Sequence, residues 1–207
     1  MDAKDNIQYW IDRHGKHHNK LVAVGDIRRT EQENLSLYWA KKRGAAAMLR
    51  SLGLLDLSGR TVLDAGCGIG LMSELFSVLG AKVWGVDGSP VAIENARFRA
   101  PDGVFSTGSL VDFSLQQRFD LVYCADVLYH VVDDDNWRTA VMNLLGHVAP
   151  GGHLIIVEQL KATEERPGAH VRFRTRAMYE ALHAERCGGQ AALHFAPPLV
   201  RLTRPCP

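Results

Sequence analysis

Cysteine is scarce and scattered. Cys67, Cys124, Cys187 and Cys206 form no C-x-x-C pair, which excludes zinc-ribbon spacing and argues against a disulfide framework. No metal site is therefore expected, and the four thiols are read as reduced. Long apolar runs are missing too, and nothing approaches the roughly 20 residues of a membrane-spanning helix. The opening stretch, MDAKDNIQYW, lacks the basic and apolar regions of a signal peptide; a cytoplasmic protein is the expectation. Charge of one sign is absent: 24 Lys and Arg face 23 Asp and Glu, a formal net charge of +1. No global field draws such a chain to nucleic acid or to a membrane surface. Internal repeats and low-complexity tracts are absent as well. What remains is 46% hydrophobic and 23% charged, the balance of an ordinary globular protein, and 207 residues suit one domain.

Two textures divide the chain. Residues 1–58 read as a helical cap, part of the same domain. In LSLYWAKKRGAAAMLRSLGLL the apolar residues recur at three- and four-residue steps, an amphipathic helix pattern. NIQYWIDRHGKHHNK looks like a shorter helix followed by a polar loop. From residue 59 short apolar runs alternate with helical stretches. Strands are expected at Thr61 to Leu63, Lys82 to Val86, Val104 to Ser106, Leu121 to Cys124 and Leu154 to Val157, each nearly continuous in apolar character, as in strands buried on both faces. Helices are expected at Ile69 to Leu79, at Val91 to Arg99 behind the Ser89-Pro90 start signal, from Asp134 or Asp135 through His147, and at Thr175 to Arg186. The alternation implies a doubly wound α/β sheet with right-handed crossovers over residues 59–207. QAALHFAPPLVRLTR then reads as two short strands around Pro197 and Pro198, a hairpin on one sheet edge.

The turn after the first strand carries the chemistry. TVLDAGCGIG ends its apolar run in Asp64 and then places Gly66, Gly68 and Gly70 at alternate positions. A dinucleotide fingerprint needs glycines at the first, third and sixth positions. Counted from Gly66, the sixth position is Leu71, so the fingerprint fails. A pyrophosphate also wants helix N–H groups with no anion beside them, whereas Asp64 would repel it. A ligand with a cationic end turns that repulsion into attraction, because Asp64 can accept from an ammonium. KVWGVDGSP then ends its strand in Asp87, about 20 residues past the first glycine, the spacing at which an acid accepts both ribose hydroxyls. The ligand is thus cationic at one end and nucleoside-like at the other, as S-adenosylmethionine is.

With VLDAGCGIG, VWGVDGSP, FDLVYCADVLYHV and APGGHLIIVE in that order, the sequence resembles the class I, Rossmann-like S-adenosylmethionine-dependent methyltransferases over about Thr61 to Glu158. The resemblance implies a seven-stranded, mostly parallel sheet whose last strand is antiparallel. It implies a cofactor site of Asp64, Gly66, Cys67, Gly68 and Gly70 around the methionine end, Asp87 and Gly88 at the ribose, and Ala125 and Asp126 near the methionine again. After the third strand the family usually carries Gly-Asp, but this chain reads STGSLVDF. Ser109 stands where the acid would be, Leu110 is placed to pack on the adenine, and Asp112 is an off-position substitute for the acid.

Tyr129 and His130 are expected to face the acceptor, with His130 as candidate base for an acceptor that must lose a proton and Tyr129 more a pocket wall than a base. The alternative for His130 is a packing role at the next helix. HGKHH (His14, Gly15, Lys16, His17, His18) is read as a solvated loop rather than a metal site. HVRFRTR puts His170, Arg172 and Arg174 on one face if extended, either to grip a phosphate or carboxylate on the acceptor or as a solvated segment leading into the last helix with Arg172 or Arg174 paired to nearby acids. The link from Glu158 to that segment is short, so no late lid is expected and the N-terminal helices must cover the cofactor. Tyr9, Trp10, Arg13, Tyr38 and Arg43 are then candidates for enclosing it, with plain core packing as the alternative.

The expected function is transfer of the sulfonium methyl to an oxygen or nitrogen of a small-molecule acceptor such as a natural product, sugar or other metabolite, leaving S-adenosyl-L-homocysteine. Alternatives are methylation of RNA or protein, a protein that binds S-adenosylmethionine without catalysis, and a nicotinamide dehydrogenase, which the glycine spacing disfavours. The near-neutral charge and the missing basic flank weigh against RNA.

Overall fold

A computed structural model describes residues 3–18, 20–187 and 192–196. The chain opens with α1 (Ala3–Lys16), a 3-10 turn at Leu21–Ala23 and α2 (Glu31–Ser51). Thr30 starts α2 with a reciprocal cap: its hydroxyl accepts from Glu33 N at 3.3 Å, and Glu33 Oε2 accepts from Thr30 N at 2.7 Å. The wound core follows as β1 (Thr61–Ala65), α3 (Leu71–Val78), β2 (Lys82–Asp87), α4 (Pro90–Arg99), β3 (Val104–Thr107), β4 (Phe119–Ala125), α5 (Asp134–Gly146) and β5 (Val148–Val157). Then come β6 (Glu165–Gly168), β7 (Val171–Phe173), α6 (Arg176–Cys187) and β8 (Ala192–Ala196).

Six strands form one sheet in the order β3-β2-β1-β4-β5-β8, every pairing parallel. The strand order reverses between β1 and β4, which opens a crevice beyond their carboxyl ends, the usual ligand position in such sheets. Residues alternate between two cores because successive side chains leave opposite faces. Leu63, Ala65, Val122 and Cys124 pack with α5 and α6 through Trp137, Leu144 and Tyr179. Val62, Leu121 and Tyr123 pack with Phe76 of α3 and with Ala45 and Leu49 of α2. Thus α2 shares the core of the sheet.

Several expectations need adjustment. The cap of α5 is Asp133, whose carboxylate accepts from Asn136 N at 2.9 Å, not Asp134 or Asp135. β5 begins six residues before the expected Leu154, because APGG runs through a register irregularity instead of a loop, with Gly151 at φ +74° supplying the left-handed step. β6 and β7 form a small antiparallel hairpin late in the chain, where a bare connection was expected. Of the tail hairpin, the first strand is β8; the second, and with it the antiparallel seventh strand, lies outside the described residues, as does Cys206. Cys67 and Cys124 are buried free thiols. Among the described residues no helix is long and apolar enough to cross a membrane.

Candidate active site

A cavity of about 900 Å³ lies over the carboxyl ends of β1, β2 and β4, roofed by α1, α2 and the loop between them. Its floor is the glycine turn. Gly66 and Gly68 have φ of +75° and +52°, the left-handed region that costs other residues about 1–2 kcal/mol. A Cβ on Gly66 would also lie 2.4 Å from Val127. The amides of the turn point into the protein. Gly66 N and Cys67 N donate to Val86 O at 2.7 and 3.0 Å, Gly70 N donates to Cys67 O at 3.0 Å, and Gly68 N donates to Asp87 Oδ2 at 2.9 Å. A phosphate would need those N–H groups. Their internal use makes this turn a support for carboxylates and not an anion nest.

Asp64 and Asp87 face the cavity from the strand tips. Asp64 is 3% exposed, and its Oδ2 accepts from Ser73 Oγ at 2.6 Å. Burial raises its pKa to about 7, helped by the nearby charge of Asp87 and opposed by the Ser73 bond. Asp87 Oδ1 accepts from Ser89 N at 2.9 Å, and burial raises its pKa as well. Among the described residues neither carboxylate has an ion-pair partner.

Around them sit most of the other expected cofactor residues. Cys67, Gly88, Ser109, Leu110, Ala125 and Asp126 line the cavity. Gly70 does not. At φ +81° it opens α3, with the position of its absent Cβ 2.7 Å from Ala96 Cα, so its role is packing of helix on helix. Ser109 Oγ accepts from Val111 N at 3.2 Å. Asp112 is exposed and off the cavity, which removes it as a substitute for the adenine-side acid. Asp126 is the one non-glycine residue with positive φ, +58°, among the described residues. Its carboxylate pairs with Lys41 Nζ of α2 at 2.8 Å, a link the sequence did not signal.

Tyr129 and His130, expected to face the acceptor, form a 3-10 turn after β4 and line the cavity. Tyr129 N donates to Glu158 Oε1 at 2.9 Å, and Glu158 Oε2 accepts from Tyr179 OH at 2.7 Å. Burial raises the Glu158 pKa to about 7, against the two hydrogen bonds. His130 Nδ1 lies 3.0 Å from His170 O. A carbonyl only accepts, so Nδ1 carries the hydrogen and Nε2 is the unprotonated nitrogen. Burial lowers the His130 pKa to about 4, keeping the ring neutral.

The cap contributes Tyr9, Trp10, Arg13 and Tyr38 to the lining. Arg13 Nη2 donates to Val22 O at 2.7 Å and to Gly25 O, and its guanidinium lies 4.9 Å over the Trp10 ring. Arg43 is exposed on α2 and outside the lining. Arg172 and Arg174 are outside it too. Arg172 pairs with Glu164 at 2.6 Å and Asp134 at 2.7 Å. Arg174, 1% exposed, pairs with Asp134 at 3.2 Å and stacks 4.5 Å over Trp137. They tie the β6–β7 hairpin to the start of α5, so neither is a grip for an acceptor. That hairpin reaches the cavity through His170 and Val171, so of the expected cationic face only His170 lies at the cavity. HGKHH is not wholly a loop. It is helical to Lys16, and His14 is 3% exposed against Trp10. No metal-type ligand cluster occurs among the described residues.

Residues 36–186 match the family described as Methyltransferase domain. The chain belongs to that methyltransferase family. A ubiquinone biosynthesis O-methyltransferase of Schizosaccharomyces pombe is 40% identical over 106 residues, covering 48% of this chain and 38% of that protein. The chain spans about half or less of the length of the curated relatives it matches. The structure of the magnesium protoporphyrin IX methyltransferase of Synechocystis PCC 6803 with bound SAH superposes with a TM-score of 0.71 at 20% identity. The match covers 90% of this chain and 89% of that one, a likeness of fold. The N-methyltransferase NodS of Bradyrhizobium japonicum WM9, also with SAH, is 29% identical with a TM-score of 0.50, over 56% of this chain and 60% of that one. The methyltransferase core thus shares the fold of these structures, with the cap built from α1 and α2.

Proposed function

We propose that the chain transfers the methyl group of S-adenosylmethionine to an oxygen or nitrogen of a small-molecule acceptor. One observation carries the reading: two carboxylates without cations, the buried Asp64 and the half-buried Asp87, stand over a glycine turn whose Gly66, Cys67, Gly68 and Gly70 amides are already bonded inward. The residues fit that cofactor. Asp64 suits the ammonium of its amino-acid end, the lone pairs of Asp87 left by Gly68 and Ser89 suit the ribose hydroxyls, and Ser109 and Leu110 suit the adenine. Bound there, the cofactor supplies an activated methyl on a sulfonium, so holding the acceptor in line supplies much of the rate.

The remaining work falls to the acceptor side. His130, held in one tautomer by His170 O, accepts a proton from an acceptor that must lose one. Glu158 fixes the turn that carries Tyr129 and His130. α1 and α2 exclude water from above. Relatives whose names specify O-methylation and N-methylation support a small acceptor of either kind. Asp87→Ala tests the proposal by calorimetry with S-adenosylmethionine. Affinity is expected to fall about a hundredfold, two charge-assisted hydrogen bonds being lost, and unchanged affinity would remove the ribose assignment.

A further inference from the structure

Five rings from three segments meet at one end of the cavity. Trp10 of α1 stands edge-on to His130 at 4.9 Å and 71°, Tyr129 lies 4.3 Å from His130, and Tyr9 stacks on His170 at 5.5 Å and 25°. Neither Tyr9, Trp10 nor Tyr129 joins the clusters that hold the sheet. All are half-buried and line the cavity. Aromatic faces gathered beside a cavity and left out of the core suit a flat ring in offset or edge-on contact.

His14 adds an independent observation. It lines the same cavity, 5.8 Å from the Trp10 ring. It is 3% exposed, and neither ring nitrogen has a hydrogen-bond partner. Buried polar groups are rarely left so. Burial lowers its pKa to about 4, so the neutral ring offers one donor and one acceptor, the complement of a hydroxyl. The charges point the same way. An aliphatic amine arrives protonated and needs an unpaired carboxylate. At this end Asp126 is paired with Lys41, Asp133 caps α5, and Arg13 lies over Trp10.

We propose, resting on the function proposed above, that this ring cluster is the acceptor subsite and that the acceptor is a planar aromatic alcohol, a phenol. A neutral phenol seats between Trp10 and Tyr129 and hydrogen-bonds to His14. Its O–H proton passes to Nε2 of His130 while an oxygen lone pair forms the new O–C bond. The C–S bond breaks with its electron pair going to sulfur, leaving the methyl ether, S-adenosylhomocysteine and an imidazolium that returns the proton to water.

The test uses the full chain with catechol and 1-naphthol as phenols and putrescine and glucosamine as amines. S-adenosylmethionine binding is measured first by calorimetry, then phenol binding by calorimetry without cofactor, then transfer of labelled methyl. The expected result is label in a phenol and not in the amines. Trp10→Ala and His14→Phe should each weaken phenol binding about tenfold with cofactor affinity unchanged, and Trp10→Phe should recover most of the loss. Label in an amine alone or in no phenol, or phenol binding untouched in both variants, overturns the phenol assignment while leaving the methyltransferase reading in place. Failure of the wild-type chain to bind S-adenosylmethionine overturns that underlying reading, and this inference with it.

Discussion

Asp64 is held by two opposing environments. Buried beside Asp87 with Ser73 as its hydrogen-bonding neighbour, it has its pKa raised to about 7, which favours the neutral carboxyl in the folded protein. The stability it contributes is therefore present below its ordinary value near 3.8 and lost as pH rises through about 7. A ligand ammonium reverses the preference and requires the ionised form. S-adenosylmethionine affinity should thus rise as pH goes from about 5.5 to about 7, with release of a fraction of a proton. Calorimetry in two buffers of unequal ionisation heat reads that fraction, and no difference between the buffers would exclude Asp64 as the partner. Asp64 and Asp87 were legible because each closes an apolar run just before glycine, Gly66 two residues after Asp64 and Gly88 directly after Asp87. His14 was not. A histidine in a polar helix shows no preferred side until α1 has a surface to pack on, and that surface comes from α4 and the 3-10 turn at Leu21–Ala23, which α1 meets only in the folded chain.

At the scale of elements, the β6–β7 hairpin shows how little local pattern a functional segment needs. Its strands carry no alternation of buried and exposed residues: β6 is exposed throughout and β7 half-buried. Propensity alone predicts nothing there. The hairpin is held instead by Arg172 and Arg174, which converge on Asp134 at the first turn of α5. Asp134→Ala removes their shared counter-charge and leaves Arg174 buried without an ion pair. Full loss at a buried pair costs about 3–5 kcal/mol. Asp134 is itself half exposed, so about 2 kcal/mol is expected, measured as a lower denaturant midpoint. Because His170 O orients His130 across this hairpin, His130 chemistry should suffer with it. By contrast, α2 was readable from its apolar steps, while its start is set by the Thr30–Glu33 capping box found in the structure.

Across the whole molecule, the parallel order β3-β2-β1-β4-β5-β8 brings the ends of β1, β2 and β4 to one crevice, and α1 and α2 close it. A cofactor bound in the crevice would touch both sheet and cap. A ligand that binds only the folded state stabilises it by about 2.7 kcal/mol at 100 times its dissociation constant. S-adenosylmethionine at that excess should raise the melting temperature by several degrees, and Asp87→Ala at the same concentration should show almost no rise. An equal rise in both would place the ligand elsewhere.

What the chain determined by itself was the wound sheet, the glycine turn and the two strand-end carboxylates, because buried parallel strands and tight turns write their requirements into neighbouring residues. Tertiary structure alone decided the acceptor side: the inward turn of His14, the pairing of Lys41 with Asp126, the anchoring of Arg172 and Arg174, and the meeting of Trp10 with His130. The last three join side chains from distant parts of the chain, and a partner distant in sequence leaves no mark on the residues beside it.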